Sequence, residues 1–362
     1  EMLSGDWSSD VCSSDLSTPL AGSANGVELE NNDTAATATP LVAGIGMAGQ
    51  LLAASDVDHY LLTVPSAGTV ALSFDRTPHA GNTFFVLTLE DDAGTTLAFA
   101  SDTREAQTLQ IGLAQAGAYL VRISNASNYY EVYNDNPYRL TALFTAGDLT
   151  GVETESNGTR AAANVLSLGQ QKTGQLTFAA DVDYYAFPVT AAGVATVHFE
   201  HLPTPGLNHT ITIENADGAT MGAVTDYAGQ QDWSVALAEP GTYYARIAYR
   251  DPGFVPRGQY ALRVDFAAGD PTGRETETND SRQSADLLVL GSAMVGQISS
   301  ISDQDYYAIT VATAGMLTLA YEPGTDANRQ VPALSVESSD GRTMASFTSL
   351  IVPSGLIVTS GS

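Results

Sequence analysis

Along most of the chain, apolar and polar residues alternate in short runs that end at glycine, proline, asparagine or aspartate. "HYLLTV" from His59, "GTVALSF" from Gly68, "LQIGL" from Leu109, "AYLVRI" from Ala118 and "YRLTALF" from Tyr138 all follow this rhythm. A period of two places every second side chain on one face, the mark of a half-buried strand, and turn residues at this spacing predict antiparallel sandwiches. Helical periodicity is nearly absent. Small-residue stretches such as "DTAATATPLV" from Asp33 and "GTRAAANVLSL" from Gly158 are the exception, and they predict a single helical turn or an irregular crossing.

The pattern repeats over long distances. "ELENNDTAA" from Glu28 returns as "ETESNGTRAA" from Glu153 and "ETETNDSRQSA" from Glu275, at offsets of 125 (153 − 28) and 122 (275 − 153) residues. The same offsets relate "GQLLAASDVDHYLLTV" from Gly49 to "GQLTFAADVDYYAFPV" from Gly174 and "GQISSISDQDYYAITV" from Gly296. They also relate "GAYLVRI" from Gly117 to "GTYYARI" from Gly241, and "YRLTA" from Tyr138 to "YALRV" from Tyr260. A unit of this length is a domain, since solenoid repeats run about 20 to 50 residues. The expected division is a leader over 1–23, sandwich domains over 24–147 and 148–270, and a third over 271–362. The third has no GxYxxRI and YxL strands, and is expected to be incomplete at its C-terminal end. The glycines of the connectors "TAGDLTGVE" and "AAGDPTGRE" predict flexible joints that only bound metal would pin.

Charge narrows the set of partners. With 41 acidic against 14 basic residues and a net charge of −27, the chain repels phosphate backbones and anionic lipid, while cations are attracted. No nucleic-acid partner and no membrane insertion are expected, and no apolar run is long enough to span a bilayer. The single cysteine, Cys12, excludes an internal disulfide or thiolate cluster. It lies in "SGDWSSDVCSSDLS", which has no apolar periodicity and resembles translated sequencing-adapter read-through. Residues 1–23 are therefore read as a non-native or unstructured leader.

The repeated acids are the candidate chemistry. In extended chain Glu28, Glu30 and Asn32 would share one face, and adjacent carboxylates repel unless a cation neutralises them. Asp56 and Asp58 form a second alternating pair just before a strand. The full set is Glu28, Glu30, Asn32, Asp33, Asp56 and Asp58; then Glu153, Glu155, Asn157, Asp181 and Asp183; then Glu275, Glu277, Asn279, Asp280, Asp303 and Asp305. Carboxylates with an amide carbonyl are the usual ligands of Ca²⁺, which takes six to eight hard oxygens, whereas Mg²⁺ seldom fills an all-protein cage. EF-hand spacing is missing. The competing reading is a solvated acidic linker with aspartates that only make turns.

ExExN(D), then G-[QK]-[LI], D-x-D-x-Y, GxYxxRI and a closing YxLxV strand, in that order, resemble the bacterial pre-peptidase C-terminal domain and the related collagen-binding domains of clostridial collagenases. The resemblance covers nearly all of residues 24–362. It implies tandem jelly-roll sandwiches of eight or nine strands, secreted, non-catalytic and appended to extracellular hydrolases or adhesins. It also implies calcium at the acidic strand and the aspartate loop, with the aspartate at positions 33 and 280 helping to hold a pair of ions. The second copy departs from this pattern, with Gly158 in that place.

Other chemistry is sparse. "HFEHLPTPGLNH" gathers His198, Glu200, His201 and His209, but on a strand His201 points away from the other two and neither HExxH nor its inverse occurs, so ordinary surface histidines are expected. No GxSxG elbow or cysteine nucleophile is present. Tyr129, Tyr130, Tyr133 and Tyr138 offer either a recognition patch or edge packing, and packing is the simpler expectation. The sequence thus predicts an all-β protein of calcium-binding modules without catalysis, monomeric within a larger extracellular or cell-surface chain. The modules would target a hydrolase or adhesin to extracellular matrix, polysaccharide or a cell-surface polymer. Two alternatives stand beside this: calcium-stiffened spacers, and part of a secreted peptidase or glycosidase.

Overall fold

The computed structural model describes residues 26–76, 85–100, 107–125, 137–178, 180–201, 208–226, 229–250, 259–300, 302–322, 333–347 and 354–359. The leader, with Cys12, and the tyrosines at 129, 130 and 133 lie outside these residues. The chain is all-β and divides into two units, 1–270 and 271–362.

The first unit contains two sandwiches of the same topology. In the first sandwich, a five-stranded sheet is ordered Thr39–Leu41, Val57–Val64, Gly117–Asn125, Phe85–Glu90, Thr96–Ala100. It is backed by a four-stranded sheet ordered Met47–Gly49, Tyr138–Ala146, Gly68–Arg76, Gln107–Leu113. The second repeats this order with Asn164–Val165, Val182–Val189, Gly241–Tyr249, His209–Glu214, Thr220–Asp226 and, behind them, Lys172–Gly174, Tyr260–Ala268, Gly193–His201, Gln230–Leu237. All pairings are antiparallel except that of each short first strand, as in Thr39↔Tyr60.

Alternation in sequence becomes alternation in burial. Val70, Leu72 and Phe74 on one sheet and Tyr60, Leu62, Leu87 and Val121 on the other point inward and form a single core. Val197, Phe199, Leu262, Tyr185, Phe187 and Ile211 do the same in the second sandwich. Each such side chain contributes about 1.5–3 kcal/mol by leaving water. The small-residue stretches form 3₁₀ turns at Ala35–Thr37 and Arg160–Ala162.

The connector between the sandwiches is hydrogen-bonded to both of them. Thr69 Oγ1 donates to the Asp148 carbonyl at 3.0 Å, and buried Lys172 donates to the carbonyls of Leu149 and Val152 at 3.0 and 2.8 Å.

In the second unit the described strands form three two-stranded ladders, Asp286–Leu287 with Tyr307–Ala308, Met316–Tyr321 with Ser354–Thr359, and Leu334–Glu337 with Thr343–Phe347. In the first two sandwiches GxYxxRI and YxL are central strands, one in each sheet, and neither motif occurs in residues 271–362. Outside the strand 354–359, no apolar side chain among its described residues is buried, and Leu287, Val295 and Met316 are 60–67% exposed.

Candidate metal centre

Each acidic segment is docked by its first glutamate. Glu28 N–H donates to the Ala48 carbonyl, Glu153 to Thr173 and Glu275 to Val295, at 2.9–3.0 Å. The side chain then turns back onto the Gly-Gln pair: Gln50 N–H donates to Glu28 Oε1 at 2.7 Å, and Gln175 and Gln297 donate likewise to Glu153 and Glu275. The glycine before each glutamine is required by space. A Cβ at Gly49, Gly174 or Gly296 would run into that carboxylate and the neighbouring tyrosine hydroxyls.

The second aspartate of D-x-D-x-Y brings the site together. Asp58 and Asp183 begin the second strand of the five-stranded sheet and are fully buried, and the tyrosine two residues on shares their face. Tyr60 donates to Glu28 Oε2 at 2.7 Å, while Tyr138, from the opposite sheet, donates to Asp58 and at 3.2 Å to Glu28 Oε2. The two hydroxyls lie 2.5 Å apart. Tyr185 and Tyr260 repeat this on Glu153 and Asp183. In the third copy Tyr307 reaches Glu275 at 2.6 Å.

One carboxylate oxygen from each of Glu28, Glu30 and Asp58 lies within 4.8 Å of the others, and the same holds for Glu153, Glu155 and Asp183 and for Glu275, Glu277 and Asp305. Asn32, Asn157 and Asn279 are fully buried at the end of each segment. Their amide nitrogens are engaged, donating to Thr39 Oγ1, Glu153 Oε2 and Asp286 Oδ2 respectively. Their Oδ1 atoms are buried without a hydrogen-bond partner, as is Oδ1 of Asp58, Asp183 and Asp305 and Oε1 of Glu155 and Glu277. Buried acceptors are normally satisfied. Unsatisfied oxygens at matching places in three copies are donors of the kind a hard cation requires, and the set fits calcium.

The first aspartates are placed differently. Asp56, Asp181 and Asp303 each accept the backbone N–H four residues earlier, from Leu52, Thr177 and Ser299, and so hold the turn before the strand. They border the converging oxygens: Asp56 raises the pKa of Glu30, and Asp181 that of Glu155. Asp33 is exposed and lies against Asp56, and Asp280 Oδ1 accepts from Gln304 N–H at 3.4 Å. Gly158 leaves its place open. The segment is not a continuous strand as expected: Val27 makes an isolated bridge, and the peptide bonds after Glu30, Glu155 and Glu277 are cis.

Burial, and then mutual repulsion, raises the carboxyl pKa values. Burial and Glu28 push Asp58 up to about 9. Burial first and neighbouring acids second bring Glu30, Glu155 and Glu277 to about 7 and Glu275 to about 8. Burial also keeps Tyr60, Tyr138, Tyr185 and Tyr260 protonated, so the phenols act as donors. The tyrosine pairs were visible in the sequence only as landmarks. The signal was the tyrosine two residues beyond Asp58 together with the tyrosine opening YxL, both recurring in the two complete copies.

The histidines require a correction. His198 does face outward, between Asp232 at 2.8 Å and Asp265 at 3.1 Å. His201 and His209 are not surface residues: the His201 side chain is 7% exposed and His209 is buried. Position 201 continues the inward series 195, 197, 199, and that face is core.

No family model matches the chain, and no curated protein does. Among solved structures, the chain is similar to the pre-peptidase C-terminal domain of a collagenase from Bacillus anthracis, at 23% identity over 28% of this chain and 94% of that one, TM-score 0.25. It is similar to tandem CBM51 modules of a family 98 glycoside hydrolase from Streptococcus pneumoniae, at 9% identity over 62% and 84%, TM-score 0.21. It is also similar to a CBM22 tandem domain from Paenibacillus barcinonensis, at 13% identity over 58% and 82%, TM-score 0.18. The chain is a tandem of β-sandwich domains.

Proposed function

We propose that these are calcium-stabilised, non-catalytic modules of the pre-peptidase C-terminal type, carried by a larger extracellular bacterial protein and targeting it to a polymer or surface. One observation carries the calcium reading: the amide and carboxylate Oδ1 atoms of Asn32 and Asp58, and of their counterparts in both other copies, are buried without partners beside two glutamates. Glu28, Glu30, Asn32 and Asp58 would hold the ion, with Asp33 and Asp56 at its border. Bound calcium supplies charge that lets the buried carboxylates stay ionised. The family reading rests on the order and spacing of the motifs, for which the site gives a physical reason. Gly-Gln docks the first glutamate, and D-x-D-x-Y and YxL supply an aspartate and two phenols around it.

The contacts between the sandwiches favour a second role, as a stiff spacer. Phe99 and Gln175 exchange backbone and side-chain hydrogen bonds, and so do Gln110 and Gln259. Extracellular calcium modules bind at about 10⁻⁴–10⁻³ M, and ligand at ten times its dissociation constant adds about 1.4 kcal/mol per site. Millimolar calcium should therefore raise the melting temperature of the chain by several degrees over chelator. Equal melting curves would remove the calcium reading. Retention on collagen, polysaccharide or cell-wall material would separate targeting from spacing.

A further inference from the structure

The second sandwich contains a cluster that belongs to none of the acidic sites. His201 ends the Gly193–His201 strand of the four-stranded sheet. His209 and Asp226 stand directly opposite each other on adjacent strands of the five-stranded sheet, so the cluster spans the core between the two sheets. His201 Nε2 lies 2.7 Å from Asp226 Oδ2, the two imidazole rings are 4.4 Å apart, and one donor atom from each of the three residues lies within 4.8 Å of the other two. Asp226 Oδ1 accepts the Gly229 N–H at 3.1 Å, which fixes the carboxylate. The rings of Phe199 and Tyr249 pack against His209 at 5.1 and 5.0 Å.

Nothing in the fold demands an imidazole here. The corresponding register position of the first sandwich, opposite Asn125 where His209 is opposite Tyr249, is held by fully buried Phe85. His209 Nδ1 is buried and has no hydrogen-bond partner. A buried polar atom left without a partner is destabilising, and phenylalanine would avoid that cost.

We propose that His201, His209 and Asp226 form a site for a divalent transition metal, Zn²⁺ or an ion of similar borderline softness. Two imidazoles and one carboxylate are a usual donor set for such ions, whereas calcium prefers oxygen alone. Zn²⁺ holds these ligands at about 2.0–2.2 Å, and side-chain rotation is enough to bring three donors already this close onto one ion. The site does not depend on the calcium reading.

The test uses the full chain in excess Ca²⁺, which occupies any oxygen sites, with Zn²⁺ added and followed by calorimetry and by the imidazole NMR signals. One Zn²⁺ per chain is expected, shifting two of the five histidines and leaving His59, His79 and His198 unmoved. His209→Phe places the first sandwich's residue at this position and should leave the metal-free melting temperature unchanged or raised. It should weaken binding by more than the roughly 10–100-fold seen when a residue behind a ligand is disturbed. Zn²⁺ that binds without moving the His201 and His209 signals, binding that His209→Phe leaves intact, or no binding at all would overturn the proposal, leaving a buried His–Asp pair with a packed imidazole. The NMR result on the unmodified chain decides the matter even if the variant folds poorly.

Discussion

Gly112 donates its backbone N–H to the Glu153 carbonyl at 3.0 Å, so the first sandwich holds the residue whose carboxylate enters the second acidic cluster. A Cβ at position 112 would collide with that carbonyl and with the Thr154 side chain. Gly112→Ala should therefore separate the sandwiches locally while sparing both cores, at a cost of about 1–3 kcal/mol, as for other overpacking changes. The expected readout is a broader inter-sandwich distance distribution by spin-label measurement and weaker calcium binding at the second site. Unchanged distances together with unchanged affinity would show that this contact does not couple the two.

Tyr260 bridges the sheets by donating to Asp183 and contacting Tyr185 at 2.6 Å. A hydrogen bond to a charged group contributes about 1.5–3 kcal/mol. Tyr260→Phe should lower the calcium affinity of the second site by about tenfold or more, because the hydroxyl helps keep Asp183 ionised. It should shift the melting temperature in chelator less than that in calcium. Equal losses in both conditions would reduce the hydroxyl to a packing role.

Stability should depend on pH in opposite ways with and without metal. Asp58 is raised to about 9 and Glu30 to about 7, chiefly by burial, whereas unfolded Asp and Glu titrate near 4. Between those limits the folded chain binds more protons than the unfolded one, so the metal-free protein should lose stability as pH rises from about 4 to about 9. Calcium favours the ionised forms and should flatten or reverse that slope. Melting curves at pH 5 and 8, in chelator and in calcium, would test this, and a metal-free chain more stable at pH 8 would contradict it.

The third unit exposes Leu287, Val295 and Met316, and its described strands pair only two by two. Apolar surface and unpaired strand edges of this kind promote association. A chain ending at Ala268 should be monomeric and unfold cooperatively, whereas the 362-residue chain should self-associate with concentration in sedimentation experiments. A monomeric full chain with a third cooperative transition would show that the unit closes its core in another way.

Strands and core were legible because alternation fixes which face each residue takes, and the repeat gave each strand two or three readings, whereas the order of strands within each sheet was not. Glu28, Glu30 and Asp58 were legible as a site for the same reason. Tyr138 was not, since it arrives from the opposite sheet 80 residues beyond Asp58, and no local pattern reports a contact across a sandwich. His201 was assigned the correct face but the wrong environment. Its neighbours His209 and Asp226, paired with each other on the opposite sheet, reach it across the core, and periodicity does not report such a contact.

The copies themselves provide the remaining test. Asp33 lies against Asp56 in the first copy, and Asp280 meets Gln304 in the third, but the second copy has Gly158. A side chain fits there: the nearest atom to a Cβ at Gly158 is the Val182 carbonyl oxygen at 3.4 Å, an ordinary contact. The second cluster therefore has one carboxylate fewer for no steric reason, and calcium affinity follows ligand charge. Titrated separately by calorimetry, residues 24–147 should bind more tightly than 148–270, or bind an additional ion. Gly158→Asp should restore the difference in the second sandwich without changing its melting temperature in chelator by more than the roughly 0.5 kcal/mol typical of surface changes. Should the two sandwiches titrate identically and Gly158→Asp have no effect, Asp33 and Asp280 would not be ligands, and the ion would be held by the two glutamates, the asparagine and the buried aspartate alone.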